Sequence, residues 1–458
     1  MITLYIATMI CAIMVVLMVR RPLLALLLYG MTATYADGFG VSEWLGTVEF
    51  FRPSMNMLFI MLFARAVARL TGKIPIPSRT RMYALTCLTA VAWCLLAVAI
   101  RDSSPYVIAA NLPYLALPYT IIWVAYAEAS SSRHILSAFV IAQTALSVAV
   151  LLMPSLEFLQ GSSYNVPASR NLDNSGDVNL TLPDTTTVKG LAGDHYAQFH
   201  NPNLLGFYGA AAIAVGLYVA SRPPLRYRIG GIMIVLAGSF MWLNSLTRGP
   251  MLGLLIMLTA AWLFRRDSRW SWAKTIMRAI TAFTVAIIVS SLAQSNGVLG
   301  YLIPQEDNIS VTGRLPGYAE AWRLIQENPL FGRPAEYQWD AMNRPHFIGL
   351  LFGAEYGALP GALITGLIFV TGGLVAVRAI LDSRLAAHSA MTAMIFGIMA
   401  GVAATDNYAG PVLFGVILGH LFIVGGLEQV LPPYTNHRKR SAFSSGSTRG
   451  IRVRGATS

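Results

Sequence analysis

Long apolar runs alternate with short polar segments from one end of the chain to the other. They fall at about 2–19, 22–36, 54–71, 82–100, 106–127, 134–153, 203–220, 229–246, 250–264, 279–297, 349–377, 388–404 and 411–427. Most approach the roughly 20 residues that an α-helix needs to cross a bilayer. The pattern predicts an all-α polytopic membrane protein with about thirteen spans, or twelve if the short second run is only half-buried. Met1 to Met18 reads as the first span and not as a removed leader, since further spans follow and no small-residue cleavage site stands out. No internal repeat is convincing.

The breaks between runs divide the chain. Residues 1–153 hold amino-terminal helices, 154–201 a first large outward loop, and 202–297 core helices with a turn at Arg248. A second large loop, with short helices, covers 298–345. Residues 346–430 return to the membrane, and 431–458 form a basic tail expected to be disordered and to touch anionic lipid. Loops as long as these two usually carry function or are disordered. The first, with "NLDNSGDVNLTLPDTTTVKG", reads as hairpin or irregular structure. The second contains "GRLPGYAEAWRLIQENPLFG", which predicts a helix over about Pro316 to Glu327 with Tyr318, Trp322 and Ile325 on one face. "NPLFG" stops it. Two placements fit such a helix: in the membrane interface, or packed on the bundle as a lid.

Composition agrees. The chain is 55% hydrophobic and 12% charged, where a soluble domain carries about 25% charge. Its net charge of +12 is mostly topology. With the carboxy terminus in the cytoplasm, 24 of the 33 Lys and Arg residues fall inside. The nine outside are Arg52, Arg101, Arg170, Lys189, Arg248, Arg314, Arg323, Arg333 and Arg344. The reversed orientation would invert this bias. Nucleic acid is therefore not an expected partner; membrane lipid is. Cys11, Cys87 and Cys94 all fall in apolar runs and read as packing residues.

Five of the nine outside cations lie between residues 248 and 344. Arginine suits a diphosphate, because its planar fork makes paired, charge-assisted hydrogen bonds and stays protonated. Arg248, in "SLTRGPMLG", has a plainer reading as a helix-end anchor to lipid headgroups. His346, after "NRP", fits a base or orienting group for a sugar hydroxyl, or an interfacial histidine bonded to a loop carbonyl. Asp194, His195 and His200 match no strong zinc spacing, so no metal site is expected. His134, His388, His420 and His437 read as structural. The chain has no G-x-x-x-x-G-K-[ST] loop and no G-x-S-x-G elbow. With no cytoplasmic domain large enough for a nucleotide, an outward-facing reaction needs a pre-activated donor delivered by the membrane.

Residues 199 to 377 carry four motifs in order. "FHNPNLLGFYGAAAIAVGL" is similar to an "NPN…G" helix start. "LNSLTRGPMLGLLIMLTA" is similar to "S-R-G-x-x-x-G", and "TGRLPGYAEAWRLIQENPLFG" to "GR…W…PL-G". "HFIGLLFGAEYGALPG" is similar to "HN…L…E-x-G", with Glu355 and Gly357 nine and eleven residues after His346. Together they resemble the superfamily of O-antigen ligases and O-antigen and exopolysaccharide polymerases of bacterial inner membranes. Three positions depart from the pattern: Thr247 stands for the serine, Tyr318 for the loop tryptophan, and Phe347 for the asparagine after the histidine.

The resemblance implies a GT-C-like glycosyltransferase without metal or other cofactor, acting on the periplasmic side. Its donor would be an undecaprenyl-diphosphate-linked glycan and its acceptor a glycan on lipid. A chain-length regulator and a flippase are the implied protein partners. It implies that Arg248 and Arg314 hold the diphosphate and that His346 sits at the reacting centre. Arg344, Arg323, Tyr318, Glu320, Glu355, Asn201 and Asn203 follow as candidate substrate contacts. Polymerisation of lipid-linked repeats is the first expectation; ligation of a finished chain to lipid A-core is the second. A transporter of lipid-linked sugars is the alternative of another class. It fits less well, because strong charges cluster at span ends and not within spans.

Overall fold

The computed structural model describes residues 77–102, 132–152, 202–222, 224–245, 248–264, 315–334, 337, 345–381, 386–405 and 412–427, with six isolated positions between 9 and 24. The spans expected at about 2–19, 22–36, 54–71, 106–127 and 279–297 lie outside the described residues, as do the first large loop and the basic tail.

Among the described residues every regular element is a helix. In chain order they are α1 (Ser78–Asp102), α2 (Ser132–Leu152), α3 (Pro202–Ala220), α4 (Leu225–Ser245), α5 (Arg248–Leu263) and α6 (Leu315–Glu327). Then come α7 (Ile348–Tyr356), α8 (Ala358–Thr365), a π-helical segment (Gly366–Thr371), α9 (Gly372–Leu381), α10 (Ala386–Thr405) and α11 (Val412–Leu427). Two runs, Ser78–Arg101 and Ala358–Leu381, have 24 residues each and are apolar enough to cross a membrane. At 1.5 Å per residue that is about 36 Å of helix. Cys87 and Cys94 are buried free thiols within α1.

Glycine sets how the helices meet. In lipid, apolar side chains gain little by leaving lipid tails for one another, so small residues that let backbones approach become the association surface. Gly209 of α3 faces Gly238 of α4, and Gly216 faces Gly231. A Cβ on Gly209 or Gly216 would stand 2.8 Å from the opposing carbonyl oxygen. Gly249 and Gly253 of α5 meet Gly401 and Gly397 of α10 in the same way, backbone against backbone. Both pairs of helices are antiparallel, since rising numbers on one face falling numbers on the other.

Elsewhere polar contacts tie the bundle. Thr80 Oγ1 of α1 donates to the Phe422 carbonyl of α11 at 3.1 Å, and His420 of α11 lies fully buried with its Nε2 3.2 Å from Thr392 Oγ1 of α10. These contacts sort the helix ends. Arg101, Pro202, Ser245, Arg248, Thr405 and Val412 share one end; Ser78, Ala220, Leu225, Leu381 and Leu427 share the other.

One predicted span is different. The apolar run 349–377 is not a single helix, because the backbone reverses at Gly357, whose φ of 103° is left-handed territory that favours glycine. Helix α7 folds back along α8. A Cβ on Gly361 would stand 2.7 Å from the Gly349 oxygen and 2.8 Å from the Gly353 Cα. Gly349 lies against Thr365, and the Phe347 ring stacks on Phe369 with centroids 5.6 Å apart. Hydropathy is equally high on both sides of the reversal, so the run looks continuous in sequence. Glu355, expected near the start of a span, instead ends a nine-residue helix.

Replacing Gly397 with Val should cost about 1–3 kcal/mol, since the α5 backbone cannot yield to the added carbons. Gly366 has open space around its Cβ position, so Gly366→Ala should change stability by no more than about 0.5 kcal/mol. Thermal unfolding in detergent would measure both. Equal midpoints for the two variants would contradict the close α5–α10 crossing.

Candidate functional site

His346 follows the buried Pro345 and precedes α7, so it sits at the foot of the α7–α8 hairpin and is half-buried. Phe347 stacks at the level of Phe369, and Gly349 touches Thr365. Thr365 is eight residues along from the reversal at Gly357, which is about 12 Å of helix. The imidazole is therefore recessed below the outer tip of the hairpin. Backbone at such depth needs protein partners; the Phe347 carbonyl accepts from Leu351 N–H at 3.0 Å.

The tip is covered by the loop that follows α6. Asn328 N–H still donates to Leu324 O at 2.9 Å, and Gly332 N–H to Asn328 O at 3.0 Å. Gly332 then takes φ 76°, and the chain lies across the reversal. A Cβ on Gly332 would strike the Glu355 backbone, and one on Gly357 the Leu330 carbonyl. Ala358 N–H donates to Pro329 O at 2.8 Å, and Arg333 N–H to Ala354 O at 2.7 Å. The "PLFG" and "EYG" stretches are thus docking partners, and their glycines are what allows contact. From α1, Trp93 Nε1–H donates to Leu330 O at 2.7 Å, and its ring stacks on Phe331.

Glu355 is buried at the centre of this junction. Arg333 donates from Nε to its Oε2 at 2.8 Å. Arg101, at the end of α1, donates to its backbone oxygen at 2.8 Å and lies 3.7 Å from Oε2. A helix leaves its last four carbonyls without intrahelical partners, and they attract positive charge. Here the Gly353, Ala354 and Glu355 oxygens of α7 are taken by Gly357 N–H, Arg333 N–H and the Arg101 guanidinium.

Helix α6 packs on α7 through Ala321, Leu324 and Ala354, with Ile325 and Tyr337 beside them. That packing is what a lid on the bundle requires. The face of α6 differs in part from the expected one, because Trp322 is 55% exposed while Gly317, Ala321 and Leu324 are buried. Tight packing on α7 selects small residues over the bulky tryptophan. Arg323 bridges Glu320 at 2.6 Å and Glu327 at 2.6 Å. Tyr337 Oη–H donates to Glu320 Oε1 at 2.7 Å, and its carbonyl accepts from Arg333. The hydrogen bonds from Arg323, then Tyr337, hold the Glu320 carboxyl down to about 2. Burial, then the hydrogen bond to Glu320, pushes the Tyr337 phenol up to about 12.

Arg248 is the first residue of α5; its side chain lies outside the description. Its level along the bundle follows from neighbours. Gly249 meets Gly401, five residues beyond Phe396 on α10; Phe396 touches Gly372, three residues beyond Phe369. Those offsets differ by about one helical turn or less. The start of α5 and the foot of the hairpin therefore lie at closely similar depth, and both helices touch α10.

Of the other expected site residues, Tyr318 and Glu320 lie on α6, Arg323 is held by two carboxylates, and Glu355 by Arg333 and Arg101. Asn203 falls in the first turn of α3, with its side chain outside the description. Asn201, Arg314 and Arg344 lie outside the described residues. The sequence reading did not single out Arg101, Arg333 or Tyr337 as site residues. Their partners lie 254, 22 and 17 residues away, beyond any local pattern.

A family model described as O-antigen ligase matches residues 232–357, from α4 to the hairpin reversal. That match supports the O-antigen ligase-like superfamily, in which activity is in general of the ligase or polymerase type. No curated protein matches the chain.

The Glu320 carboxyl is lower in the folded chain than its ordinary 4.5. Its stabilisation is therefore full above about pH 4.5 and is lost as pH falls through about 2. Tyr337→Phe should raise that carboxyl and start acid release of α6 at higher pH. Loss of the hydrogen bond costs about 1 kcal/mol, or about fivefold in amide-exchange protection of α6 at neutral pH. An α6 exchange profile unchanged from pH 5 to 2.5, after correction for intrinsic rates, would contradict the link.

Proposed function

We propose that this chain is a glycosyltransferase that joins lipid-linked glycan at the periplasmic face of a bacterial inner membrane, polymerising repeat units. The observation that carries this reading is the similar depth of the Arg248 helix start and the foot of the hairpin at His346, both inside the matched segment. Two further features support it. The lid loop docks on the far end of α7, the helix that His346 precedes, and the outward side is expected to be poor in cations, so those it keeps need a use.

The donor's diphosphate binds Arg248 and Arg314, with Arg344 as a further cation for phosphate or acidic sugar. The acceptor hydroxyl oxygen bonds to the anomeric carbon as the C–O bond to the diphosphate breaks. Its proton passes to the neutral imidazole of His346, and the electron pair leaves on the lipid diphosphate. Attack opposite the leaving group inverts the anomeric centre. Negative charge grows on the leaving oxygens, where one well-placed donor lowers the barrier by about 3–4 kcal/mol. A base at His346 contributes about 10²–10⁴-fold. Arg323 ranks lower as an anion ligand, since Glu320 and Glu327 already neutralise it.

Polymerase is preferred to ligase because of Phe347, which puts an aromatic ring where the ligase and polymerase pattern has a hydrogen-bonding asparagine. The ligase reading is favoured by the description of the matching family. The lipid-linked glycans of a deletion strain separate the two. Single repeats accumulating on lipid indicate a polymerase; full-length chains on lipid indicate a ligase.

With purified protein and lipid-linked oligosaccharide, Arg248→Ala and His346→Ala should each lower transfer at least 100-fold at equal folded yield. Near-normal transfer by both variants would remove these residues from the reaction.

A further inference from the structure

We infer that Arg101, Glu355 and Arg333 form a clamp whose task is to position His346, a role that rests on the proposed transfer reaction. Helix α7 is a nine-residue rod. His346 precedes one end of it, and Glu355 is next to last at the other. What holds the outer end therefore sets where the imidazole points.

Two separate elements meet on that end. Arg101 comes from the membrane helix α1 and reaches both the backbone oxygen and, at 3.7 Å, the carboxylate of Glu355. Arg333 comes from the lid loop and grips the same carboxylate oxygen at 2.8 Å. Its own N–H closes on the α7 backbone at Ala354. The side chains of Arg101 and Glu355 are 7% and 11% exposed, and that of Arg333 21%. Solvent screens such pairs weakly, and removing one partner from a buried pair leaves a charge uncompensated.

The clamp also reaches the lid. Arg333 donates to the Tyr337 carbonyl, and Tyr337 donates to Glu320 of α6. Docking of the lid, closure of the loop over Gly357 and the set of α7 are consequently one linked event. No step of the reaction passes through these three side chains; they are positioning residues that act through α7.

The test uses the full chain in lipid nanodiscs with lipid-linked oligosaccharide as donor. Arg333→Gln and Glu355→Gln should each lower kcat at least tenfold, with the donor KM within about threefold of the parent. Amide exchange should rise in residues 315–334. The double variant should lose no more than the worse single one, because both changes open the same contact. Arg333→Lys, a milder change that keeps the charge, should recover part of the rate. Losses that multiply in the double variant, or a parental kcat in Arg333→Gln, would overturn the clamp. The His346→Ala variant keeps the two proposals apart. Transfer surviving in His346→Ala while Arg333→Gln is slow overturns the base and, with it, the positioning of His346 as the clamp's task. Transfer lost in His346→Ala while Arg333→Gln is normal overturns the clamp alone.

Discussion

Backbone-to-backbone approach at glycine is the constraint on which the rest of this structure depends. Apolar helices gain little from meeting one another inside lipid, so contact must come from close packing, which only the smallest residues permit. The α5–α10 crossing is such a contact, with Gly249 and Gly253 set against Gly401 and Gly397. It carries Arg248 to the end of the bundle that holds the lid. The α7–α8 hairpin is another, built on Gly349, Gly353 and Gly361. It draws His346 inward along α8. A third, between Gly332 and Gly357, seats the lid loop on the reversal. Each site element is thus placed by glycines near it in sequence, Gly249 being next to Arg248 and Gly349 three residues from His346.

Charge then differentiates what glycine has brought together. Several arginines are used internally. Arg101 and Arg333 converge on Glu355, and Arg323 is shared between Glu320 and Glu327. The first group is buried and ties three elements; the second is exposed and local to one helix. Exposed helix pairs contribute little to stability, whereas the buried group decides how the lid and α7 sit. Sorting the arginines this way concentrates the proposed anion site on Arg248, Arg314 and Arg344.

Much of this was legible in the residues. The helix of the second loop, expected over about Pro316 to Glu327, spans Leu315–Glu327 and ends at Asn328, because turn chemistry and apolar periodicity are local signals. The helix starts at Pro202 and Arg248 were also readable, since apolar runs begin there. Of the α6 face expected to hold Tyr318, Trp322 and Ile325, Ile325 packs against the α6–α7 contact while Trp322 is exposed. Periodicity ranks residues by bulk, and Ala321 and Gly317 are buried precisely where bulk does not fit, leaving Trp322 outside.

The sequence by itself determined that the chain is rich in apolar helices and which short motifs deserved chemical attention. Only the tertiary structure decided that the run after His346 doubles back at Gly357, and that Glu355 serves arginines 254 and 22 residues away. The physical reason is common to both. Hydropathy records how oily a segment is, and not whether it turns round within the oil. An ion pair between distant residues exists only once packing has brought their helices side by side.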